Sequence, residues 1–434
     1  MKALLTFLAL AVLATPAAAR LAPAEQKIVR SVESEQGRSI ALLERLVNQN
    51  SGSLNLPGVE AVGKMMRSEL EPLGFAVRWA PMAQVGRAGH IVATHRGSGR
   101  GKRMLLIAHL DTVFEPDSPF QRFVRKDGNI AEGPGIGDDK GGMVVMVAAL
   151  RAMQAAGTLK DSDIEIVLTG DEEDSGNPIA IARRDLIAAA GRADLALDFE
   201  GLAQEGDRDM GSIARRGSAS WQVTAKGRTG HSSGIFSKDM GNGAIYELSR
   251  ILAAFRTELP EPNLTFNVGL IAGGTTAELD KDLIRATATG KTNIIPPIAI
   301  ARGDLRALSL DQQERVMAKM REIVGRHLAG SSAEIAFDDG AYPPMAPTPA
   351  SGALLARLNA VNRDLGLAEM GEFDPLKRGA GDIGFVAHLV PGLVGLGTAG
   401  NGAHAPGETV DLASIPRQAK RAAILMSRLA KEPR

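Results

Sequence analysis

Between Ala24 and Asn48 apolar residues recur every three or four positions, the period of a helix with one face turned to a core. Pro57–Leu70 repeats that pattern, with Pro57 suited to a first helical turn. Four short apolar runs, Met104–Ala108, Ile164–Leu168, Leu195–Phe199 and Leu393–Leu396, are bounded by polar or glycine-rich residues, as strands buried on both faces are. Between the first two lies Gly142–Ala156, apolar on most sides and too long for a strand, which predicts a helix packed on the sheet in βαβ order. The texture changes near Ala214: SASWQVTAKG, a helix near Gly243–Ala254, LTFNVGLIAGG, a strand at Ala299–Arg306 and a helix at Leu310–His327 form an α+β pattern of their own. After about Ala341 the first texture returns, with helices at Gly352–Leu365 and Pro416–Leu429. The simplest account is one domain inserted in another: residues 20–213 and 342–434 form the first, residues 214–341 the second.

The length of 434 residues exceeds the usual single-domain range of roughly 100–200, which agrees with two domains. Fifty basic residues balance fifty acidic ones, so no net field favours nucleic acid or an anionic membrane. With no cysteine the chain has no disulfide, no thiolate metal site and no cysteine nucleophile, and any metal must sit on His, Asp and Glu. At the N-terminus Lys2, the apolar stretch Ala3–Leu13 and the Ala17-x-Ala19 site before Arg20 form the pattern of a secretory signal, residues 1–19. The expected compartment is therefore the periplasm or the exterior, with no membrane attachment after cleavage.

Five polar clusters follow strands or lie in nearby loops, where open α/β sheets bind ligands. In His109-Leu110-Asp111, residues two apart share a face, so Asp111 can fix the His109 tautomer and improve it as a ligand. The turn Gly135–Gly142 (GIGDDKGG) could present a carboxylate that bridges two divalent ions. It does not match the spacing of a phosphate loop, and adjacent aspartates repel phosphate. Asp171-Glu172-Glu173-Asp174 offers one carboxylate as ligand and its neighbour as a free base. Glu200 closes Leu195–Phe199, with Asp198 on the same face, and His404 lies in the glycine-rich stretch after Leu393–Leu396. Singly, each is also what an ordinary polar loop looks like.

Taken together, HLDTV at His109, GxGDDKGG at Asp138, DEE at 171–173, DFEG at Glu200, GRTGHSS at His231 and GNGAHAPGE at His404 resemble the M20 family of metallopeptidases, in its glutamate carboxypeptidase-like branch. The resemblance runs from about Ala24 to Leu429. It implies a zinc-exopeptidase-like α/β catalytic domain, a central mixed sheet flanked by helices, plus an inserted α+β lid and dimerisation domain. It also implies two Zn2+ per subunit, with Asp138 bridging both, His109 and Glu200 completing one site, and Glu173 and His404 the other. The donors would also accept Co2+ or Mn2+, and zinc is favoured by family habit rather than by spacing. Glu172 is then the general base and Asp111 the partner of His109. From the lid, often of the partner subunit in a homodimer, His231 stabilises an oxyanion or grips substrate.

For substrate recognition, Asn293, Arg306 and the glycine loop at Gly381 resemble family positions that receive a carboxylate. Two departures bear on specificity. Gly340-Ala341-Tyr342-Pro343 stands where glutamate-preferring relatives carry a basic residue, and Ala277–Lys291 looks like extra lid sequence. Lys377 and Arg378 are candidates for the replacement charge. The expected function is cleavage of a small peptide next to its free C-terminus, with N-acyl amino acid deacylation by the same centre as the alternative. A metal-free binding module on this fold should have lost a ligand or the base, and here all are present.

Overall fold

Along the strand Arg103–His109 the pleat sends Met104, Leu106 and Ala108 into one core and Leu105 and Ile107 into another, and all five are buried. That two-sided burial is why the run is continuously apolar rather than alternating. In the computed structural model, which describes residues 21–98 and 100–434, this strand lies inside a six-stranded sheet. The expected signal segment, residues 1–19, falls outside the described residues. The sheet order is Ala76–Pro81, Gly89–His95, Asp163–Thr169, Arg103–His109, Leu195–Asp198, Gly392–Val394. The last four strands are mutually parallel, and the first two add antiparallel to the edge, so the sheet is mixed.

The helix Gly141–Ala156, buried from Gly141 through Met153, covers one face and is covered in turn by Pro23–Ser34, Gln36–Asn48 and Ser414–Leu429. It joins two parallel neighbours, as the βαβ order predicts. On the other face lie the short helices Ile179–Ala182 and Arg184–Ala190, through Ala182, Leu186 and Ala189. The expected single helix from Ala24 to Asn48 is instead two, broken at Glu35. Gly37, costly inside a helix, follows the break, and both pieces can then turn their apolar faces to the buried helix.

A second sheet, ordered Thr265–Gly274, Ile298–Arg306, Ala219–Gly227, Ser331–Phe337, is antiparallel throughout. Helices Gly243–Glu258 and Leu310–Gly325 pack on it around Trp221, Phe255 and Met320. This is the expected α+β unit, and within it Thr276–Leu279 and Ala286–Thr289 form a hairpin in the segment marked as extra. The chain enters and leaves it side by side, Arg215 pairing with Met345 and Ser218 with Tyr342. Among the described residues no helix is long and apolar enough to cross a membrane.

Candidate metal centre

His109 is the last residue of its strand, opposite Thr169 at the end of the next, and Glu200 follows two residues after Asp198. The parallel strands therefore deliver their polar ends to one rim. Asp138 arrives from the turn before the buried helix, where Asp138 and Asp139 leave helical backbone angles. Glu408 holds that turn, its carboxylate accepting from the amides of Gly135 (2.9 Å), Gly137 (2.7 Å) and Asp138 (3.0 Å). The hairpin Gly400–Asn401/Thr409–Asp411 carries both Glu408 and His404, so the same contact brings His404 to Asp138. At Gly142 a side chain would collide with the Phe199 carbonyl, which explains a glycine where the helix start meets the Glu200 loop.

Two groups of donors result, His109–Asp138–Glu200 and Asp138–Glu173–His404, each with its donor atoms within 4.8 Å of one another. One Asp138 oxygen lies 3.0 Å from His109 Nε2 and the other 3.0 Å from His404 Nε2, while Glu173 is 3.1 Å from His404 Nε2. Two donors bound tetrahedrally to one zinc at about 2.1 Å stand roughly 3.4 Å apart, so these spacings suit first ligands around an ion. Two imidazoles and three carboxylates without sulfur suit a borderline divalent cation, and the shared Asp138 fits a pair of them.

Charge in the site is unbalanced without such cations. Burial opposes ionisation at Asp138, but hydrogen bonds from His109 and His404 hold its carboxyl far below the carboxylate range. The same bond to Asp138, with Glu173 next, pushes His404 up to about 11. Burial drives Glu173 up to about 7, Asp198 up to about 7, and Glu172 well above the ordinary range, the neighbouring acids adding to each. Asp139 is buried with neither oxygen hydrogen-bonded to a described residue, and burial raises it strongly as well.

Asp111 does more than the tautomer role expected of it. His109 Nδ1 lies 3.1 Å from the Asp111 carbonyl and 3.4 Å from its carboxylate. That carboxylate accepts from Ser53 Oγ (2.6 Å) and from the backbone amides of Glu172 and Glu173 (3.0 Å each). It thus fixes His109 and the acidic loop together. Beneath that loop Arg183, fully buried, donates to Asp171 Oδ1 (2.6 Å), Asp382 Oδ1 (2.6 Å) and Tyr342 Oη (2.7 Å), and Tyr342 Oη donates to the Glu172 carbonyl (2.6 Å). Glu172 itself belongs to neither donor group.

The remaining expected residues are distributed as follows. His231 is exposed on the second sheet's unit, its Nδ1 2.8 Å from Ser233 Oγ. Asn293 is beside it, its carbonyl accepting from Ser232. Arg306 pairs with Asp304 at 2.9 Å. Among the described contacts none links these three to the five-residue cluster. Gly381 abuts the Arg215 guanidinium so closely that any side chain would collide with it. Sequence reasoning assigned no role to Arg215, Glu408, Ser53 or Arg183. Arg215 is buried, 2.9 Å from Glu200 Oε2, and donates to the carbonyls of Gly379 (2.7 Å) and Ala380.

The family model described as peptidase family M20/M25/M40 matches residues 105–428. A carboxypeptidase G2 from Pseudomonas sp. is 30% identical over 317 residues, 72% of this chain and 71% of that protein. A succinyl-diaminopimelate desuccinylase from Novosphingobium aromaticivorans is 29% identical over 66% of this chain and 73% of its own. Among solved structures, a tripeptidase from Staphylococcus aureus superposes with a TM-score of 0.71 at 19% identity, covering 92% of this chain and 99% of that one.

Proposed function

Since the chain belongs to peptidase family M20/M25/M40 and is a metallohydrolase of that family, we propose that it uses two zinc ions per subunit to cut a peptide bond next to a free C-terminal carboxylate. The observation that carries this is Asp138, whose two oxygens face two separate histidines, each in its own donor group. His109 and Glu200 would hold one ion with Asp138, Glu173 and His404 the other. When bound, the cations polarise the amide carbonyl and lower the pKa of water toward neutrality.

The chain's own groups perform the rest. Glu172 stands outside both donor sets and keeps its basicity, so it takes the proton as the water oxygen bonds to the carbonyl carbon, and returns it to the nitrogen as the C–N bond breaks. Asp111 holds His109 and the amides on either side of the base in one frame. From the lid His231 is the donor for the developing oxyanion, with Asn293 next to it on the substrate side. Such donors contribute about 3–4 kcal/mol of transition-state stabilisation. The leader pattern supports a secreted or periplasmic enzyme, and the lid a homodimer.

The second reading, removal of an N-acyl group from an amino acid, is favoured by the desuccinylase among the relatives. A panel of dipeptides and N-acetyl, N-succinyl and longer N-acyl amino acids separates the two, assayed with zinc and again after chelation. Turnover that survives full chelation sinks both.

A further inference from the structure

We propose that Arg378 receives the substrate's free carboxylate, and that the cavity it lines beside Asp138 and Glu200 admits the single amino-acid residue bearing that group. The inference rests on the amide-hydrolase reading above and names the group that would make it selective. The cavity, of about 290 Å³, opens between Asp138 and Glu200 on one side and the loop Gly400–Ala403 on the other. It is at the small end of ligand pockets, which run from roughly 300 to 1,000 Å³, and so suits a residue rather than a long peptide. It is lined by Asp138, which both donor groups share, and by Glu200, so a residue seated there would leave its amide beside the metals.

Arg378 is the one basic residue in that lining. Three acids face it there. Asp138 and Glu200 are candidate ligands whose charge the cations take up, and Glu408 is already satisfied by three backbone amides. With the cations in place the guanidinium is the charge left for a substrate. Its Nη2 donates to the Gly201 carbonyl at 2.8 Å, which orients the plane, and its Nε is buried with no hydrogen-bond partner among the described residues. Glu200 Oε2, at 3.9 Å, is too far for a hydrogen bond. A planar guanidinium fixed at one corner is preorganised for a carboxylate.

The other cations nearby are occupied. Arg215 does not line the cavity; it is buried 2.9 Å from Glu200 Oε2 and donates to the Gly379 and Ala380 carbonyls. Lys377 is paired with Glu205 at 2.6 Å and lies over the Phe373 ring. Arg216 is bonded to Thr265 Oγ1 and the Leu376 carbonyl, and Arg306 is held by Asp304. The sequence placed Arg306 among the carboxylate-receiving positions and left Lys377 and Arg378 as candidates for replacement charge; their partners separate them.

The test compares wild type with Arg378→Lys and Arg378→Met, zinc-loaded, on dipeptides and on the same dipeptides with a C-terminal amide. Wild type should prefer the acid, and Arg378→Met should lose roughly 30- to 1,000-fold more on the acid than on the amide, chiefly in KM, with zinc content kept. Arg378→Lys should fall between. Equal losses on acid and amide, or loss of zinc, would mean Arg378 only supports Glu200, and the proposal fails. A wild type that cuts acid and amide alike has no use for the carboxylate, and the proposal fails; a zinc-loaded wild type that cuts neither dipeptides nor N-acyl amino acids overturns instead the amide-hydrolase reading itself. Calorimetry is independent of turnover: L-alanine, L-leucine and L-glutamate should bind zinc-loaded wild type better than their amides do, and Arg378→Met should abolish the difference. No acid preference in wild type, or an unchanged one in the variant, also overturns it.

Discussion

Glu172 and Glu173 are adjacent, chemically alike and both pushed up by burial, yet only Glu173 joins His404 and Asp138. Glu172→Gln should therefore cut kcat by about 10²- to 10⁴-fold while zinc content stays at the wild-type level. Zinc lost with activity would show the two roles exchanged. A second consequence follows from His404, raised to about 11 by Asp138 and Glu173, and His109, raised as well. Hydrogen bonds to the carboxylates favour the protonated imidazoles in the metal-free protein, and a ligand must be neutral, so zinc binding should release protons and tighten as pH rises from 6 to 8. Calorimetry in buffers of differing ionisation heat reads this directly; zinc uptake with no net proton release contradicts it. The candidate ligands were readable from five motifs because each keeps its residues within a few positions. The roles of Arg215, Ser53 and Glu408 were not, since each acts on a group far away in sequence, Glu408 included although it closes the His404 motif: Ser53 reaches Asp111, and Glu408 reaches Gly135.

The acidic loop after Asp163–Thr169 is held from both sides, by Asp111 from above and by Arg183 from below. Arg183 is the heavier constraint. It is fully buried against Asp171 and Asp382, so Arg183→Met strands two carboxylates in the interior. The expected cost is about 3–5 kcal/mol, seen as a lower denaturation midpoint with an unchanged denaturant slope; a shift under about 1 kcal/mol would contradict the burial of the pair. Tyr342→Phe removes only the hydroxyl that Arg183 and the Glu172 carbonyl share, and should lower kcat several-fold with little change in stability or zinc content. Elements with both faces or a full stripe in the core were legible: Arg103–His109, Asp163–Thr169 and the Gly141–Ala156 helix stand within a residue or so of their apolar runs. Ala76–Pro81 and Ser331–Phe337 were missed because they are edge strands with mostly exposed or half-exposed residues, so their pairing, not their composition, makes them strands. Gly89–His95 is buried almost throughout, but it opens on Gly and His, and His90 is satisfied inside by the Ala182 carbonyl at 2.8 Å.

At the scale of the whole molecule, the proposed base and all five candidate ligands lie on the large sheet's body, while the proposed oxyanion donor His231 lies on the inserted one. The inserted sheet ends in Thr265–Gly274, an edge strand ten residues long whose outer side has no strand partner among the described residues and which exposes Val268 and Ile271, with Ile245 and Tyr246 exposed on the helix beside it. A long apolar edge is a template for another strand unless it is covered, and a second copy of the same edge covers it with two-fold symmetry. The protein should therefore sediment as a dimer, and Ile271→Asp should release monomers. Whether His231 serves its own subunit or its partner is then decided by mixing two inactive variants, His231→Ala and Glu172→Gln. If the histidine crosses the interface, each mixed dimer has one site with both groups intact, and an equimolar mixture should recover roughly a quarter of wild-type activity. If it acts within its own chain, every site in the mixture lacks one group and activity stays at the level of the separate variants. Adding Ile271→Asp to both variants should abolish any recovery. Recovery that persists in monomers would show that this edge is not the contact through which the histidine arrives.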